Sequence, residues 1–249
     1  DNLKSISFHH PSQVHHETKD MLLKATPKEQ LKEQRQWSPY IDNGGTVLGV
    51  APPGADFVVV AGDTRMSYGY SIASRNVTKT VQLTDKCVLA SAGMQAERHT
   101  LHKVLKAKAT MFENTHRKPM SAPSMAQCLS NTLYYKRFFP YYTFNVLAGL
   151  DEKGLGAVWG YDAIGSFERV PYVVTGSGSA LATSILDNQV LFKTQPKNKR
   201  ELKCAEVVEL VKDVFTCISE RDIYTGDSAE IYVITKDGVK KEIFALKKD

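Results

Sequence analysis

Short apolar runs occur in neighbouring pairs along this chain, and a brief turn joins the two members of most pairs. Two strands joined this closely pair antiparallel, because a parallel connection needs a crossover of about a dozen or more residues. Helical patterns also occur in pairs, between the strand pairs, instead of alternating singly with strands. The chain is therefore predicted to have an α+β fold in which antiparallel sheets and helices form separate layers.

Turn residues bound the predicted strands, which are short and rich in apolar side chains. The strands cover residues 46–50 with 57–61, 81–83 with 87–92, 142–148 with 156–161, 166–174 alone, and 231–235 with 239–246. The turn of the closing pair contains Asp237 and Gly238, a dipeptide typical of tight hairpins.

Four helices are predicted from apolar residues and helix-start signals. They cover residues 101–112, a segment that begins at residue 124, residues 180–188 and residues 207–218. Ser124 and Gln127 form a capping box at the start of the second helix. Each helix pair can cover the outer face of one sheet, so the predicted architecture is two packed sheets between two helix layers.

The first 44 residues differ from the rest because they are polar and contain few apolar side chains. Residues 1–44 are predicted to be an N-terminal extension, and residues 45–249 to be one domain. Within the extension, Pro27 and Glu29 stand where a helix N-terminus favours them, so a short helix is predicted to end near Gln36. No metal site is predicted from its histidines, because a flexible tail cannot preorganise their rings.

The formal net charge of +5 does not indicate nucleic-acid binding, because most basic residues are scattered along the chain. The densest basic segment, residues 193–203, contains Pro196 and Asn198 and is predicted to be a solvated loop. No run approaches the roughly 20 apolar residues of a membrane helix. The four cysteines lack the spacing of a zinc site, which favours reduced thiols and a location in the cytoplasm and nucleus.

Four sequence blocks carry a resemblance to a known family, and the resemblance covers about residues 43–246. They read GGTVLGV, VVVAGDTR, TGSGS and ERDIYTGD, and together they resemble the beta subunits of the 20S proteasome, which are N-terminal nucleophile hydrolases. The segment YYKRFFPYYTFNVLAGLDEKGLGAVWGYDAIGSFER narrows the resemblance to one type of beta subunit. The family implies a four-layer alpha-beta-beta-alpha sandwich, in agreement with the layers predicted from the residue pattern.

In catalytic members of this family, a threonine becomes the first residue by self-cleavage after a glycine. Its hydroxyl attacks peptide carbonyls, and its own amine serves as the base. Those members have a small residue at the fifth position, which Gly49 matches, and counting back places Gly45 at the nucleophile position. A shift of one residue would turn Thr46 away from the cleft, because side chains alternate across a strand. Glycine has no hydroxyl, so neither self-cleavage nor substrate hydrolysis is expected.

The resemblance also assigns the other residues of the family site. They are Asp63, Lys79, Ser177 and Asp222, and Thr225 replaces the family's following serine. In the family the lysine lowers the pKa of the nucleophile, and the serine and the second aspartate assist near the free amine. Each residue also has a structural interpretation. Asp63 is either a turn residue or the partner of Lys79 in a buried ion pair, Ser177 can cap a helix, and Asp222 can be an acceptor near a helix end. We interpret the set, with Gly45, as a vestigial pocket without a catalytic residue.

The resemblance predicts a non-catalytic structural subunit of the proteasome core, which contributes to assembly and to the chamber for ubiquitin-dependent protein degradation. No cofactor is expected. The expected partners are other beta subunits in a seven-membered ring, the opposing beta ring and the alpha ring. The run YYKRFFPYY is either part of such an interface or an ordinary lead-in to a strand.

Two other functions are compatible with the sequence. One is an active threonine endopeptidase that exposes Thr46 by cleavage after Gly45, and the other is a free-standing binding module. The extension is predicted to be partly trimmed by a catalytic neighbour or to dock along an adjacent subunit.

Overall fold

The computed structural model describes residues 37–249, and Tyr40–Asp249 form one compact unit. The predicted helix that ends near Gln36 and the histidines at positions 9, 10, 15 and 16 lie outside the described residues. The division of the chain at residue 45 stays a prediction.

Twelve strands, four α-helices and one short 3₁₀-helix make up the regular structure of residues 37–249. The strands are β1 (Thr46–Val50), β2 (Val58–Asp63), β3 (Met66–Tyr68), β4 (Ser71–Ser74), β5 (Thr80–Thr84), β6 (Cys87–Gly93), β7 (Thr143–Leu150), β8 (Gly156–Tyr161), β9 (Phe167–Val170), β10 (Tyr172–Gly176), β11 (Ser228–Thr235) and β12 (Gly238–Ala245). The helices are α1 (Gln95–His116), α2 (Ala122–Tyr134), α3 (Ser179–Gln189) and α4 (Cys204–Arg221), with the 3₁₀-helix Pro196–Asn198 in the predicted basic loop.

Ten of the strands form two five-stranded antiparallel sheets. The first sheet has the order β10-β1-β2-β11-β12, and the second has the order β5-β6-β7-β8-β9. The predicted strand pairs are neighbours in these sheets, with β1 beside β2, β5 beside β6, β7 beside β8 and β11 beside β12. Strand β1 lies between β10 and β2, so both of its edges are hydrogen-bonded within the sheet.

Two helix layers cover the outer faces of the sheets. Helices α1 and α2 pack on the second sheet and bury Leu101 and Leu129, and helices α3 and α4 pack on the first sheet and bury Phe215. A third core, which includes Val60 and Val146, fills the space between the sheets. The predicted four-layer alpha-beta-beta-alpha sandwich is confirmed.

Packing on both faces of β1 fixes its register. Leu48 and Val50 belong to the core beneath α3 and α4, and Val47 belongs to the core between the sheets. Complete burial of such a side chain contributes roughly 1.5–3 kcal/mol, and a shift of one residue would exchange the two faces. Gly49 must also be small, because a Cβ there would lie 2.9 Å from Cγ1 of Val146.

The predicted single strand over residues 166–174 is wrong. The structure has two strands in this region, and they belong to different sheets: β9 pairs with β8, and β10 pairs with β1. Pro171 lies between them, and its carbonyl oxygen accepts a hydrogen bond from the N–H of Ala51. A proline interrupts a ladder because it has no N–H to donate, and the chain passes here from the second sheet to the first.

Two further details differ from the sequence prediction. Helix α2 begins at Ala122, not at the predicted capping box, and the Oγ of its N-cap Ser121 accepts the N–H of Ser124. Pro123 lies in the first turn, where its missing N–H costs nothing, so it starts the helix instead of preceding it. The hairpin of β3 and β4 was not predicted, because its strands have few apolar residues and are largely exposed.

Candidate functional site

Three of the predicted site residues meet where strands of both sheets begin or end. Gly45 precedes β1, Asp63 ends β2 and Lys79 precedes β5. The Nζ of Lys79 lies 3.1 Å from Oδ1 of Asp63, and it also donates to the main-chain oxygens of Asp63, at 3.1 Å, and of Arg65. The two side chains are buried, with 0% of Asp63 and 1% of Lys79 exposed. The predicted contact between Asp63 and Lys79 is therefore present, and all three ammonium protons have an acceptor.

Burial acts on both charges of this ion pair. It raises the pKa of the Asp63 carboxyl, and the positive charge of Lys79 opposes that shift. It lowers the pKa of the Lys79 ammonium, and the negative charge of Asp63 opposes that shift. Each charge is thus stabilised by its partner and not by water, so the loss of either side chain would leave an uncompensated buried charge.

Gly45 lies directly against the ion pair. A Cβ at this position would lie 2.2 Å from Cε of Lys79, 2.6 Å from its Nζ and 2.7 Å from Oδ1 of Asp63. The φ angle of Gly45 is +88°, a backbone conformation that L-residues rarely adopt. Any side chain at position 45 would therefore point at Lys79, as the predicted register requires, but the present backbone and ion pair leave no room for one.

Thr46 uses its side chain on the other side of the strand. Its Oγ1 accepts the N–H of Gly178 at 2.9 Å and lies 2.7 Å from Oγ1 of Thr225. Within residues 37–249, the hydrogen bonds that Lys79 donates go to Asp63 and Arg65, and none goes to the Thr46 hydroxyl. The backbone N–H of Thr46 donates to Oδ1 of Asp63 at 2.9 Å, and as part of a peptide bond this nitrogen cannot act as an amine base.

The remaining predicted residues form a hydroxyl cluster around Asp222. Its Oδ2 accepts the hydroxyls of Ser177 and Thr225, each at 2.6 Å. Because Thr225 donates its proton to the carboxylate, Thr46 must donate to Thr225, which leaves no proton unassigned in this chain of hydroxyls. The backbone N–H of Ser177 also donates to the carbonyl oxygen of Gly45 at 3.0 Å. The predicted residues thus lie on two sides of the Gly45–Thr46 peptide, a lysine side and a hydroxyl side.

A strap formed by residues 42–44 bridges β3 and the junction of β6 with α1, and we call the space between these two elements the cleft; sequence analysis did not predict the strap. The main-chain oxygen of Asn43 accepts the N–H of Ser67 at 3.1 Å, and its Nδ2 donates to the main-chain oxygen of Ser67 at 3.0 Å. On the other side its N–H donates to the oxygen of Gly93 at 3.2 Å, and its Oδ1 accepts the N–H of Gln95 at 2.8 Å. Beside the strap is a cavity of about 360 Å³ lined in part by Gly93 and Ser177. The available sequence signal was an asparagine directly before two glycines, which is a turn pattern.

A buried polar network lies behind the lysine side and was also missed. Burial lowers the pKa of Arg98 to about 10, and burial together with the charge of Arg98 lowers the pKa of His102 to about 3. Ser91 donates to Oδ1 of Asn145 at 2.7 Å, so the neutral His102 ring donates its Nε2 proton to Ser91 at 2.9 Å. These residues contact one another only after folding, and their sequence spacing gives no sign of the network.

Residues 37–249 contain neither a candidate metal site nor a candidate membrane-spanning helix. Within residues 37–249, His, Cys, Asp and Glu side chains form no group of three or more that could hold a metal. The cysteines at positions 87, 128, 204 and 217 are free thiols. In the same residues, no helix combines the length and apolar character needed to cross a bilayer.

Comparisons with known proteins agree with this architecture. The family profile described as "Proteasome subunit" matches residues 41–234. The chain is similar to "Proteasome subunit beta type-1" of Dictyostelium discoideum, with 55% identity over 89% of this chain and 94% of the relative. It is 52% identical to the protein of that name from Arabidopsis thaliana, over 88% of this chain and 99% of the relative.

A yeast relative bears the other name of this subunit type. "Proteasome subunit beta type-6" of Saccharomyces cerevisiae is 44% identical over 87% of this chain and 93% of the relative. The sequence segment that begins at Tyr134 had indicated this type, known as beta-6 or beta type-1, and the comparisons confirm the resemblance. The matched profile, the relatives and the four-layer sandwich lead to one conclusion: the chain belongs to the proteasome beta-subunit family, whose members form the 20S core.

Proposed function

We propose that this chain is a non-catalytic structural subunit of the 20S proteasome beta ring. The observation that carries the proposal is the geometry of Gly45. The position that faces Lys79 has no side chain, and a Cβ there would enter the ion pair at 2.2–2.7 Å. Without a hydroxyl at this position, neither self-cleavage nor attack on a substrate has a nucleophile.

The rival function, a threonine endopeptidase cleaved between Gly45 and Thr46, has less support. The Thr46 hydroxyl is buried and already acts as donor to Thr225 and acceptor from Gly178. Lys79, which would lower its pKa, lies on the other side of the strand and uses its protons on Asp63 and Arg65. The Thr46 hydroxyl already has hydrogen-bond partners, and Lys79 donates its hydrogen bonds to other groups. The hydroxyl is therefore poorly suited to attack a carbonyl.

The strap gives the proposal independent support. Asn43 bonds to main-chain groups on both sides of the cleft, namely Ser67 on one side and Gly93 with Gln95 on the other. A peptide substrate that ran through the same cleft would have to displace these four hydrogen bonds. The chain thus obstructs its own cleft, which suits a subunit that builds the chamber wall and does not cleave.

In this proposal the chain acts through assembly. It occupies one position in a seven-membered beta ring, contacts the opposing beta ring and the alpha ring, and works in the cytoplasm and nucleus without a cofactor. The part of the N-terminal extension that precedes the strap is trimmed by a catalytic neighbour or docks along an adjacent subunit. A free-standing binding module would instead remain a monomer in gel filtration when its partners are present.

Covalent labelling of the assembled particle tests the proposal. The particle is treated with an epoxyketone or vinyl sulfone, and each chain is then analysed by intact mass and N-terminal sequencing. We expect adducts on catalytic neighbours, no adduct on this chain, and no copy of this chain that begins at Thr46. An adduct on this chain, or a Thr46 N-terminus, would overturn the proposal.

A further inference from the structure

A cluster of exposed aromatic side chains begins at the last residue of helix α2 and continues beyond the helix. Within six residues, Tyr134 is 62% exposed, Tyr135 91%, Phe138 97% and Phe139 54%. We name residues 134–139 the aromatic loop. Aromatic side chains bury roughly 150–250 Å² each when they are covered, so this loop exposes an unusually large apolar area for a folded monomer.

The aromatic loop is ordered by its own backbone hydrogen bonds. Consecutive turns are closed by three main-chain hydrogen bonds. The N–H of Lys136 donates to the oxygen of Leu133 (3.1 Å), that of Arg137 to the oxygen of Tyr134 (3.0 Å), and that of Phe139 to the oxygen of Lys136 (3.1 Å). Three residues separate the aromatic loop from the strand that follows, which begins at Thr143. The aromatic rings of the loop are held outward before any partner binds, which lowers the entropy cost of association.

Two cations lie among the exposed rings. The Nζ of Lys136 lies 5.6 Å from the ring centroid of Phe139, and the guanidinium carbon of Arg137 lies 5.9 Å from that of Phe138. Within residues 37–249, no carboxylate forms a salt bridge with either cation. The loop therefore presents positive charge that complements carboxylates on another surface.

A groove adjoins the loop and gives the surface a concave part. It has a volume of about 590 Å³ and lies between the end of α2, with Tyr134 and Tyr135, and the turn after β8, with Ile164 and Gly165. The Oγ of Ser130 donates to the oxygen of Gly165 at 2.6 Å and joins the two walls. Rings beside a fixed groove resemble the anchors and pockets of protein interfaces.

We propose that the aromatic loop and this groove dock a neighbouring proteasome subunit, on a surface where an apolar hollow is edged by Asp or Glu. This inference rests on the proposed subunit role and adds the surface and the chemistry of the partner. A second copy of this chain fits less well, because a twofold contact would place Lys136 and Arg137 against the same cations. Residues 1–36 also fit less well, because they contain six Lys or Arg and only five Asp or Glu.

Photocrosslinking in the assembled particle tests the proposal. A benzophenone amino acid replaces Phe138 in the full chain, which is co-expressed with its partners, and crosslinked peptides are identified by mass spectrometry. We expect a crosslink to a different subunit, at a site with Asp or Glu nearby. Crosslinks only within this chain, crosslinks to a second copy, or no intermolecular crosslink would overturn it.

Charge reversal supplies a second measurement. The variant K136E/R137E is expected to enter the particle at least about tenfold less than the unmodified chain, because like charges would face each other. The matched variant K236E/K240E makes the same change in charge in and beside the exposed turn between β11 and β12. Normal incorporation of K136E/R137E would contradict the proposal. These readouts do not depend on catalysis, so they remain valid if covalent labelling shows that the chain is active.

Discussion

The two sides of the Gly45–Thr46 peptide differ in how their polar groups are held. On the lysine side, the buried charges of Asp63 and Lys79 are stabilised by each other and by main-chain groups, namely oxygens around Lys79 and N–H groups around Asp63. On the hydroxyl side, Ser177 is exposed and Asp222 half-buried, and water can replace part of their contacts. Charges can therefore persist at a site for the stability of the fold alone, and their presence is weak support for catalysis.

The largest effect is expected on the lysine side. Lys79→Ala would leave the Asp63 carboxylate buried without its partner, so we expect a loss of about 3–5 kcal/mol in the free energy of unfolding. Urea denaturation of the purified chain would measure it. The double variant D63N/K79M removes both charges at similar volume and should recover much of the loss. A loss below about 1 kcal/mol for Lys79→Ala would show that the pair is not a structural requirement.

The next effect separates backbone strain from contact with the ion pair. Gly45→Ala should cost about 2–3 kcal/mol, because its φ of +88° strains an L-residue and its Cβ would enter the Asp63–Lys79 pair. Gly54 has a φ of +80° and no atom within 4 Å of the added Cβ, so Gly54→Ala should cost only about 1 kcal/mol. Equal losses in the two variants, measured by urea denaturation, would show that the ion pair does not restrict position 45.

Gly45→Thr extends this test to function. The variant restores a hydroxyl at the nucleophile position, yet we expect no new peptidase activity in the particle, because the residue would displace Lys79 from its acceptors. Its stability should be lower than that of Gly45→Ala, because a β-branched residue is strained further at a φ of +88° and places two more atoms beside the ion pair. If an epoxyketone labelled the Gly45→Thr chain covalently, the backbone at position 45 would be able to relax. The missing hydroxyl alone would then explain the inactivity that we propose for the unmodified chain.

Sequence reasoning succeeded where the pattern is local and failed where contacts are distant. The register of β1 was predictable because the family resemblance requires a small residue at the fifth position, and Gly49, which the structure shows to be in a crowded place, meets that requirement. The strand over residues 166–174 was wrong because its two halves have partners far apart in the sequence, in β8 and β1. Asn43 and His102 were missed because hydrogen-bond partners of a single polar residue leave no periodic signal in the chain.

The network behind the lysine side should respond to pH. Burial lowers the pKa of His102 to about 3, below its unfolded value of about 6.5. Below about pH 6.5 the unfolded chain binds a proton that the folded chain does not, so stability is complete above this pH and falls as the pH falls. Between pH 7 and pH 5 the contribution lost is about 2 kcal/mol.

The variant His102→Gln isolates this contribution. Its free energy of unfolding, measured by urea titration at both pH values, should fall less between pH 7 and pH 5 than that of the unmodified chain. The glutamine amide can still form a hydrogen bond with the Ser91 hydroxyl. The two chains therefore differ in the titrating imidazole and not in a cavity left by the substitution. Identical pH dependence in the two chains would place the His102 pKa near its ordinary value.

The smallest effect is expected on the hydroxyl side. Ser177→Ala removes a hydrogen bond to Asp222, but the serine is exposed and water can occupy the vacated acceptor, so the loss should be about 0.5 kcal/mol. Ser179→Ala is a matched control nearby, because none of the hydrogen bonds within residues 37–249 uses the Ser179 hydroxyl. If Ser177→Ala cost as much as Lys79→Ala, the exposed Ser177 would be as necessary to the fold as the buried Asp63–Lys79 pair, and burial could not explain the difference between the two sides of the Gly45–Thr46 peptide.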